Sequence, residues 1–383
     1  MLYADGIHDD TLSLQAMLDA RGIVTVDKPG TYLITKTLII HSNTRFILSP
    51  GAKLLAAPMS RCALLENEHF AGGGRDENIE IVGGIWDGNC DEMGLDAFYE
   101  SEHRLDDPFD PKLFKGKLIR FARIDRLILS RMTVRNPVSY GIQIADARGF
   151  VVRDIFFDYN WHFGCTDGVH INGPSYDGVI ENLAGTTNDD MIGMTTYDEP
   201  HAEVTLGPIE RISIRNVSAV NGYSSIRLLS GENFPMRDIH IDGIYGTYRH
   251  HAVIISNHNG RPGKVWFDNL LIENVYATKS NTPLTPECHT RWEQYADTDA
   301  YIAFGRDAIC GNVTVRNLCR NQEHSTQSAL FSFHATSRID RLLLDNIHQT
   351  VAEGVTAPIW LMKEGAVIKT LIERDSITET VEK

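Results

Sequence analysis

The sequence predicts an all-β chain folded as a single-stranded, right-handed parallel β-helix, a solenoid in which short strands stack coil upon coil. A strand-like run recurs along the 383 residues, and through the middle of the chain its starts fall between 23 and 33 residues apart. A second, shorter run follows most of these first runs, with no helical pattern between them. Repeats of about 20–50 residues indicate a solenoid or a propeller. Two or three short β runs per repeat favour the β-helix, because each coil can bury its apolar face only against the next coil.

The N-terminal stretch is predicted to close one end of this solenoid. Within residues 5–22, Asp9 or Asp10 can cap a helix whose apolar residues cover one side, so we expect a short helix that Gly22 ends. Such a helix would cover unpaired strand edges, which otherwise invite pairing with another chain. Strand-like runs follow at residues 22–27, 30–40 and 44–56.

The repeat begins at residue 77 and predicts about ten coils. The first runs lie at residues 77–89, 125–137, 148–160, 176–188, 209–221, 236–248, 265–277, 312–321 and 339–350. The second runs lie at residues 141–146, 168–173, 191–196, 225–230, 252–257, 301–306, 330–335 and 358–363. In register, β-branched residues of the second runs would line the interior, namely Ile142, Val169, Ile192 and Ile226. The Asn residues that close many first runs would form a buried ladder at the bend, or act only as turn formers.

Two acidic, aromatic and proline-containing stretches break this period. Residues 90–117 and 280–300 are predicted to be long loops that leave the solenoid. Long loops on a rigid scaffold commonly form substrate walls, although these could also be lids that merely cover coil edges. No composition break divides the chain, so residues 1–383 are predicted to form a single β-helix domain.

The composition of the chain limits the classes of partner that we expect. The formal net charge of −15 argues against a nucleic-acid partner. The chain has no apolar run of about 18 residues, so we expect no membrane span. The N-terminus lacks the charged and apolar regions of a signal peptide, so we expect a cytoplasmic protein or an exported one whose signal has been removed. The six widely spaced cysteines are predicted to be buried free thiols: Cys62, Cys90, Cys165, Cys288, Cys310 and Cys319.

The candidate chemistry lies in the second runs between residues 165 and 227. When these runs are aligned, four residues occupy equivalent outward positions: Gln143, His170, Gly193 and Arg227. Asp167 and Asp190 stand just before their strands, and Asp189 stands one residue further back. Neighbouring coils of a parallel sheet are about 4.8 Å apart, so we expect these carboxylates to crowd together.

Crowded carboxylates beside a cation are what acid/base hydrolysis of a glycosidic bond requires. Two like charges placed so near each other raise the pKa of at least one carboxyl group, which can then stay protonated as the acid. The alternative role for the same aspartates is to cap the strand entries through Asx turns.

Five short motifs follow one another in a fixed order along the chain. They are Asp5-Gly with Asp9-Asp10-Thr-Leu-Ser-Leu-Gln, Gly83-Gly-Ile-Trp-Asp-Gly-Asn89, Thr166-Asp167-Gly168, Asn188-Asp189-Asp190 and Ser225-Ile-Arg227-Leu-Leu. In this order they resemble the polygalacturonase family of glycoside hydrolases, family 28, of the pectin lyase-like parallel β-helix superfamily. The resemblance spans most of the chain and is strongest from residue 165 to residue 230.

The resemblance implies an inverting glycoside hydrolase acting on a polysaccharide or oligosaccharide. Asp189 would be the general acid, while Asp167 and Asp190 would hold and activate the water. Inverting enzymes separate acid and base by about 6.5–9.5 Å to make room for that water. No cofactor and no metal are predicted. The candidate substrate-binding residues are Arg227, His170, His201, Gln143, Tyr197 and Trp161.

The chain also departs from the family pattern. Leu229 stands where the family has a Lys, and the loss of a cation from a carboxylate grip weakens the case for polygalacturonate itself. His201 is the nearest counterpart of the family's Gly-His-Gly motif, although an exposed loop His would look the same. His170 stands where the family often has an acid. It could contact the substrate, tune Asp167 or be a satisfied surface residue. Trp161 could stack on a sugar ring or pack in the core.

Two other functions fit the same scaffold. A polysaccharide lyase or epimerase needs a base for the C5 proton, usually with Ca²⁺ beside the uronate; the acids could bind Ca²⁺, and Arg227 could be the base. A phage-type β-helix would bind glycan through its face without catalysis. Fold alone does not separate these functions, and the sequence leaves the oligomeric state open.

Overall fold

The structure, a computed structural model, describes residues 1–98, 110–197, 204–231, 234–257 and 266–381. Within these residues lie 26 β-strands, one α-helix and two short 3-10 helices, which confirms the prediction of a nearly all-β chain. None of the helices among the residues just given is long and apolar enough to cross a membrane. The chain divides into two compact units, and the single domain over residues 1–383 stays a prediction. The units are Met1–Asp189 with Glu199–Leu206 and Leu284–Arg291, and Asp190–Asp198 with Gly207–Pro283 and Trp292–Lys383.

The first unit stacks its strands in parallel ladders, each strand pairing with one in the next coil. Its elements are β1 (Asp5–Asp9), α1 (Thr11–Asp19), β2 (Gly22–Val26), β3 (Gly30–Ile34), β4 (Leu38–Ile40), β5 (Thr44–Ala56), β6 (Leu65–Asn67), β7 (Asp76–Asp87), a 3-10 turn (Cys90–Glu92), β8 (Ile119–Ser130), β9 (Thr133–Arg135), β10 (Ile142–Arg148), β11 (Val151–Asp158), β12 (Val169–Asn172) and β13 (Ser175–Thr186). One row of parallel pairings runs through β4, β6, β8, β10 and β12.

The second unit repeats this architecture. Its elements are β14 (Asp190–Thr195), β15 (Ile209–Gly222), β16 (Ser224–Ser230), β17 (Pro235–Tyr248), β18 (Val253–Asn257), β19 (Trp266–Lys279), a 3-10 helix (Glu293–Tyr295), β20 (Ile302–Phe304), β21 (Ile309–Gln322), β22 (Phe331–Phe333), β23 (Arg338–Ala352), β24 (Trp360–Met362), β25 (Val367–Arg374) and β26 (Ile377–Val381). A row of parallel pairings runs through β14, β16, β18, β20, β22 and β24.

The predicted interior column is confirmed within each unit. In the first unit Ile142 pairs with Val169, and in the second Ile192 pairs with Ile226. All four side chains are fully buried. Burying an aliphatic side chain of this size contributes about 1.5–3 kcal/mol. Because each coil buries its column only against its neighbours, the stack holds the outward residues of successive strands in register.

Helix α1 packs on β3 and β4 with Leu14 and Leu18 fully buried. The side-chain amide of Gln15 donates to the carbonyl of Ile39 (3.0 Å) and accepts from its N–H (2.8 Å), so it satisfies the backbone of β4. Gly22 was predicted to end this helix, but the helix ends at Asp19 and Gly22 opens β2.

A row of amides marks the bends of the second unit. The side-chain amide of Asn346 donates to Asn317 (3.0 Å), that of Asn317 to Asn274 (3.0 Å), and that of Asn274 to the carboxylate of Asp242 (2.6 Å). These three asparagines have left-handed φ values of 57°, 51° and 58°, a region that Asn tolerates better than most residues. These three asparagines lie inside the first runs rather than at their ends, and they are half-buried or exposed, so this row is not the buried ladder of closing asparagines that was predicted.

None of the six cysteines, all of which the structure describes, forms a disulfide bond. Cys90 and Cys310 are buried as predicted, and burial raises the pKa of Cys90 to about 12. The other four are half-buried, so the expectation that all would be buried is wrong.

A largely buried histidine should make the second unit sensitive to acid. Burial lowers the pKa of His251 to about 4, and its Nδ1 lies 2.6 Å from the carbonyl oxygen of Ala300. An unfolded His titrates near pH 6.5, so between pH 6.5 and 4 the unfolded chain binds the additional proton. The free energy of unfolding should therefore fall with pH across this interval, by up to about 3 kcal/mol.

Denaturant unfolding at half-unit steps of pH tests this expectation. His251→Gln should flatten the slope between pH 6.5 and 4. Equal slopes in the wild type and His251→Gln would contradict the assignment.

Candidate active site

The chain that enters β14 is anchored by a buried asparagine. Asn188 is 1% exposed and forms an isolated antiparallel bridge with Thr166. Its side-chain amide donates to the carbonyl oxygens of Phe163 (2.7 Å) and His289 (2.9 Å). These bonds fix the backbone immediately before Asp189, which is half-buried.

Asp167 lies beside Asp189 in the first unit. The backbone carbonyl of Asp167 accepts hydrogen bonds from the N–H of Gly141 (2.9 Å) and the hydroxyl of Tyr159 (3.2 Å). A carboxylate oxygen of Asp167 lies within 4.8 Å of one of Asp189. At an effective dielectric constant near 20, two unit charges at that distance repel by about 3 kcal/mol. The pair is therefore suited to holding one proton between two carboxyl groups.

Asp190 and Arg227 belong to the second unit. Asp190 begins β14 and pairs with Ser224, while Gly193 pairs with Arg227. Asp190 is 4% exposed and Arg227 is half-buried. The predicted alignment of the second runs is thus confirmed here and, in the first unit, by the pairing of Gln143 with His170.

A histidine holds the carboxylate of Asp167. His170 Nδ1 lies 2.6 Å from Asp167 Oδ2, and both side chains are nearly buried. The ring of Tyr140 stacks on His170 with centroids 4.0 Å apart and planes 3° apart. Lys117 Nζ lies 4.1 Å from the centroid of the Tyr140 ring and 3.4 Å from Ser139 Oγ. Of the roles considered for His170, tuning of Asp167 is the one that these contacts favour.

Sequence reasoning missed Tyr140 and Lys117. The pairings Ile119–Ile142–Val169, extended by two residues, place Lys117, Tyr140 and Asp167 at the same position in three successive coils. The signal was the residue two places before each strand, which was used for Asp167 but not followed into the preceding coils.

The two irregular stretches meet beside this pair of carboxylates. The N–H of Gly164 donates to the carbonyl of Ala97 (2.7 Å). Phe98 packs edge-on against His289, with ring centroids 6.0 Å apart, and the Arg291 guanidinium lies 5.4 Å from the Phe98 ring. Because the Asn188 side chain also donates a hydrogen bond to the carbonyl of His289, both loops lie next to the chain segment that carries Asp189.

Comparison with known proteins identifies the fold. No protein-family model matches the chain, and no curated protein sequence matches it. Solved structures do match: an exopolygalacturonase of Thermotoga maritima (TM-score 0.66, 12% identity, 97% of this chain and 90% of that one), the A-module of the Azotobacter vinelandii mannuronan C-5 epimerase AlgE4 (0.61, 14%, 100% and 95%) and PfbA, a surface adhesin of Streptococcus pneumoniae (0.61, 14%, 97% and 91%). The chain has a right-handed parallel β-helix fold. At these identities the likeness concerns the fold alone.

The other predicted site residues of this β-helix are mostly buried. Trp161 is 6% exposed, and its indole nitrogen has no hydrogen-bond acceptor among the described residues. Gln143 is 1% exposed and donates to Asn172 Oδ1 (2.9 Å), and Tyr197 is 8% exposed. His201 lies outside the residues that the structure describes. Leu229 is 2% exposed, so the position of the missing Lys does not reach the surface.

Among the described residues, three sets of oxygen and nitrogen atoms are spaced closely enough to hold a cation. In the set of Glu68, His69 and Asp76, the Asp76 carboxylate already accepts four hydrogen bonds. In the set of His240, Asp242 and Glu273, the Glu273 carboxylate pairs with His240 and Arg316. The third set contains Asp167 and Asp189. Hard cations such as Ca²⁺ favour carboxylate oxygens of this kind.

Proposed function

We propose that this protein is an inverting glycoside hydrolase that acts on a polysaccharide or oligosaccharide, with uronic-acid glycans the first class to test. The observation that carries the proposal is the close pair of carboxylates, Asp167 and Asp189, with Asp167 hydrogen-bonded to His170. Paired carboxyl groups with a shared proton supply both the acid and the base that glycosidic hydrolysis needs. Polysaccharide-acting enzymes among the structures of the same fold support it.

The proposed roles follow the family resemblance. Asp189 delivers a proton to the leaving glycosidic oxygen, while Asp167 and Asp190 hold the water and accept its proton as it attacks the anomeric carbon. Arg227 binds a substrate oxygen or carboxylate. Gln143 and Trp161 are buried, so their proposed role is to shape the site rather than to contact the substrate. His201 and Tyr197 remain proposed substrate contacts.

Product analysis on a panel of neutral and uronic-acid glycans tests the proposal. Hydrolysis should yield new reducing ends, and NMR spectra recorded within the first minutes should show the inverted anomer. Retention of configuration would overturn the inverting mechanism. The absence of new reducing ends on every glycan of the panel would overturn the hydrolase.

Specific contacts favour a second candidate, a polysaccharide lyase or C5 epimerase. Lys117, Tyr140 and His170 form a stack of basic and phenolic groups beside Asp167. A cation could neutralise a uronate carboxylate while a neighbouring base removes the C5 proton. Elimination then expels the C4 oxygen and leaves an unsaturated, ultraviolet-absorbing product, whereas epimerisation returns a proton to the opposite face. Deuterium at C5 after reaction in D₂O, without reducing ends, would favour the epimerase.

His170 should be a positioning residue that acts through Asp167. We expect His170→Ala to lower turnover about 10- to 100-fold, because a hydrogen bond to a charged group contributes about 1.5–3 kcal/mol. The acid limb of the pH–rate profile should also move, since Asp167 would titrate without its partner. His162→Ala, at an exposed histidine bonded to Asp91, is the matched control and should change the rate less than twofold. An unchanged pH profile in His170→Ala would leave only a structural role.

The finer description of the fold is also a proposal. The repeat predicts about ten coils, with α1 covering the first of them.

A carbohydrate is the proposed partner, with neither nucleic acid nor membrane involved.

A further inference from the structure

A polar cleft of about 200 Å³ lies within the second unit, on the side where the loop after β19 leaves the strands. Its lining includes Arg249, Lys279, Glu293, Asp297, Gln322 and His324. None of these belongs to the proposed catalytic residues. Sites for drug-sized ligands measure about 300–1,000 Å³, so this cleft would take one ring-sized group.

The floor of the cleft is held rigidly. Lys279 Nζ donates to the carbonyl oxygens of Arg249 (2.6 Å), His250 (2.6 Å) and Asp299 (3.1 Å). The Arg249 guanidinium donates to the carbonyl of Thr282 (2.7 Å) and forms an ion pair with Glu293. Groups fixed in this way lose little freedom on binding, which favours a preformed site.

The rim is exposed and offers both donors and acceptors. Asp297, His324 and Ser325 are exposed around the opening. Hydroxyl groups, which donate and accept together, match such a mixed rim better than an apolar or singly charged ligand does.

Two large aromatic residues lie close in sequence to the cleft residue Glu293: Trp292 precedes the 3-10 helix Glu293–Tyr295, and Tyr295 ends it. Trp292 is 60% exposed and Tyr295 is 49% exposed, and they flank the cleft residue Glu293. Their ring centroids are 6.2 Å apart with planes 30° apart. Aromatic groups with an apolar face and a polar tip are suited to half-wet binding surfaces. A pyranose ring, with apolar C–H faces and a hydroxyl rim, has the matching chemistry.

We propose that the cleft and the Trp292–Tyr295 pair form an accessory glycan-binding site, which holds one sugar residue of a polysaccharide without taking part in its cleavage. The nature of the ligand rests on the proposed function, that of a glycan-acting protein. The site would raise the affinity for polymeric substrate and would contribute nothing to short oligosaccharides bound only at the carboxylates.

Affinity electrophoresis tests the site without any need for turnover. Gels are cast with polygalacturonate, polymannuronate or neutral galactan, and all proteins carry Asp189→Asn so that cleavage does not alter the gel. The protein should be retarded by at least one polymer. Trp292→Ala/Tyr295→Ala should weaken that retardation about tenfold. The control is Tyr245→Ala/Tyr276→Ala, at an exposed stacked pair on β17 and β19, and it should migrate like its parent.

The outcomes separate this inference from the proposed function. Unchanged retardation in the Trp292/Tyr295 variant, or no retardation of the parent by any polymer, would overturn the accessory site even if the wild type releases reducing ends. Retardation that this variant loses would support the site even if no hydrolysis is found. If the double variant melts at a lower temperature than its parent, Tyr295→Ala alone, at a half-exposed residue, provides the test.

Discussion

Asp189→Asn should lower turnover by about 10²–10⁴ while leaving the fold intact, because general acid catalysis typically contributes that factor. The amide is nearly isosteric with the carboxyl group but has no proton to give to the leaving oxygen. The hydrogen bond at this residue that involves Thr187 uses the backbone carbonyl (2.7 Å), so it survives the substitution. Removing one charge from the pair with Asp167 relieves repulsion, so the melting temperature should hold or rise slightly.

Initial rates and melting temperature on this one variant separate a catalytic from a capping role. A capping Asp predicts near-normal turnover with stability lower by about 0.5–2 kcal/mol, on the scale of helix caps. The matched control is Asp154→Asn, an aspartate of the first unit at a strand bend, hydrogen-bonded to Asn182 (2.9 Å). Full activity in Asp189→Asn would remove the general acid and with it the main reason to prefer hydrolysis.

Arg320→Met should lower the free energy of unfolding by about 3 kcal/mol or more, because several buried acceptors lose their donor at once. Arg320 is fully buried at the end of β21. Its guanidinium donates to Gln349 Oε1 (2.9 Å), to the carbonyl of Ser328 (2.9 Å) and to that of Pro358 (2.8 Å). Each acceptor left unsatisfied in the interior costs about 1–3 kcal/mol.

Arg316→Met on the same strand is the control for this effect. Arg316 pairs with the nearly buried Glu273, but its own side chain is 47% exposed and His240 also contacts that carboxylate, so its loss should cost only about 1 kcal/mol. Denaturant midpoints of the two variants should therefore differ widely. Equal midpoints would show that water replaces the Arg320 guanidinium without loss.

Periodicity made most of the β-helix predictable. Alternation within the runs and their regular spacing identified the strands, and alignment of the second runs placed Ile142 against Val169 and Gly193 against Arg227. These relations depend on local pattern alone, because parallel coils repeat the same backbone path. The aspartate motifs were visible for the same reason, since each stands at a fixed position before a strand.

Contacts between distant loops carry no such pattern. Phe98 and His289 lie 191 residues apart in the chain, and nothing in either loop's composition specifies that they meet. The end of α1 was mispredicted because Arg21 already takes a left-handed φ of 58°, so the chain has left the helix before Gly22, whose φ of 73° is left-handed as well. Tyr140 was missed because aromatic residues before a strand usually signify packing rather than a site.

The row of amides in the second unit has a direction. The Asp242 carboxylate can only accept, so Asn274 must present its N–H₂ to that carboxylate and its oxygen to Asn317. Asn317 is oriented in turn, and then Asn346. All three amide dipoles therefore point the same way along the stack, and each bond polarises the next by about 10–30%. A single negative charge on β17 thus sets the orientation of a side chain three coils away, without any change in the backbone.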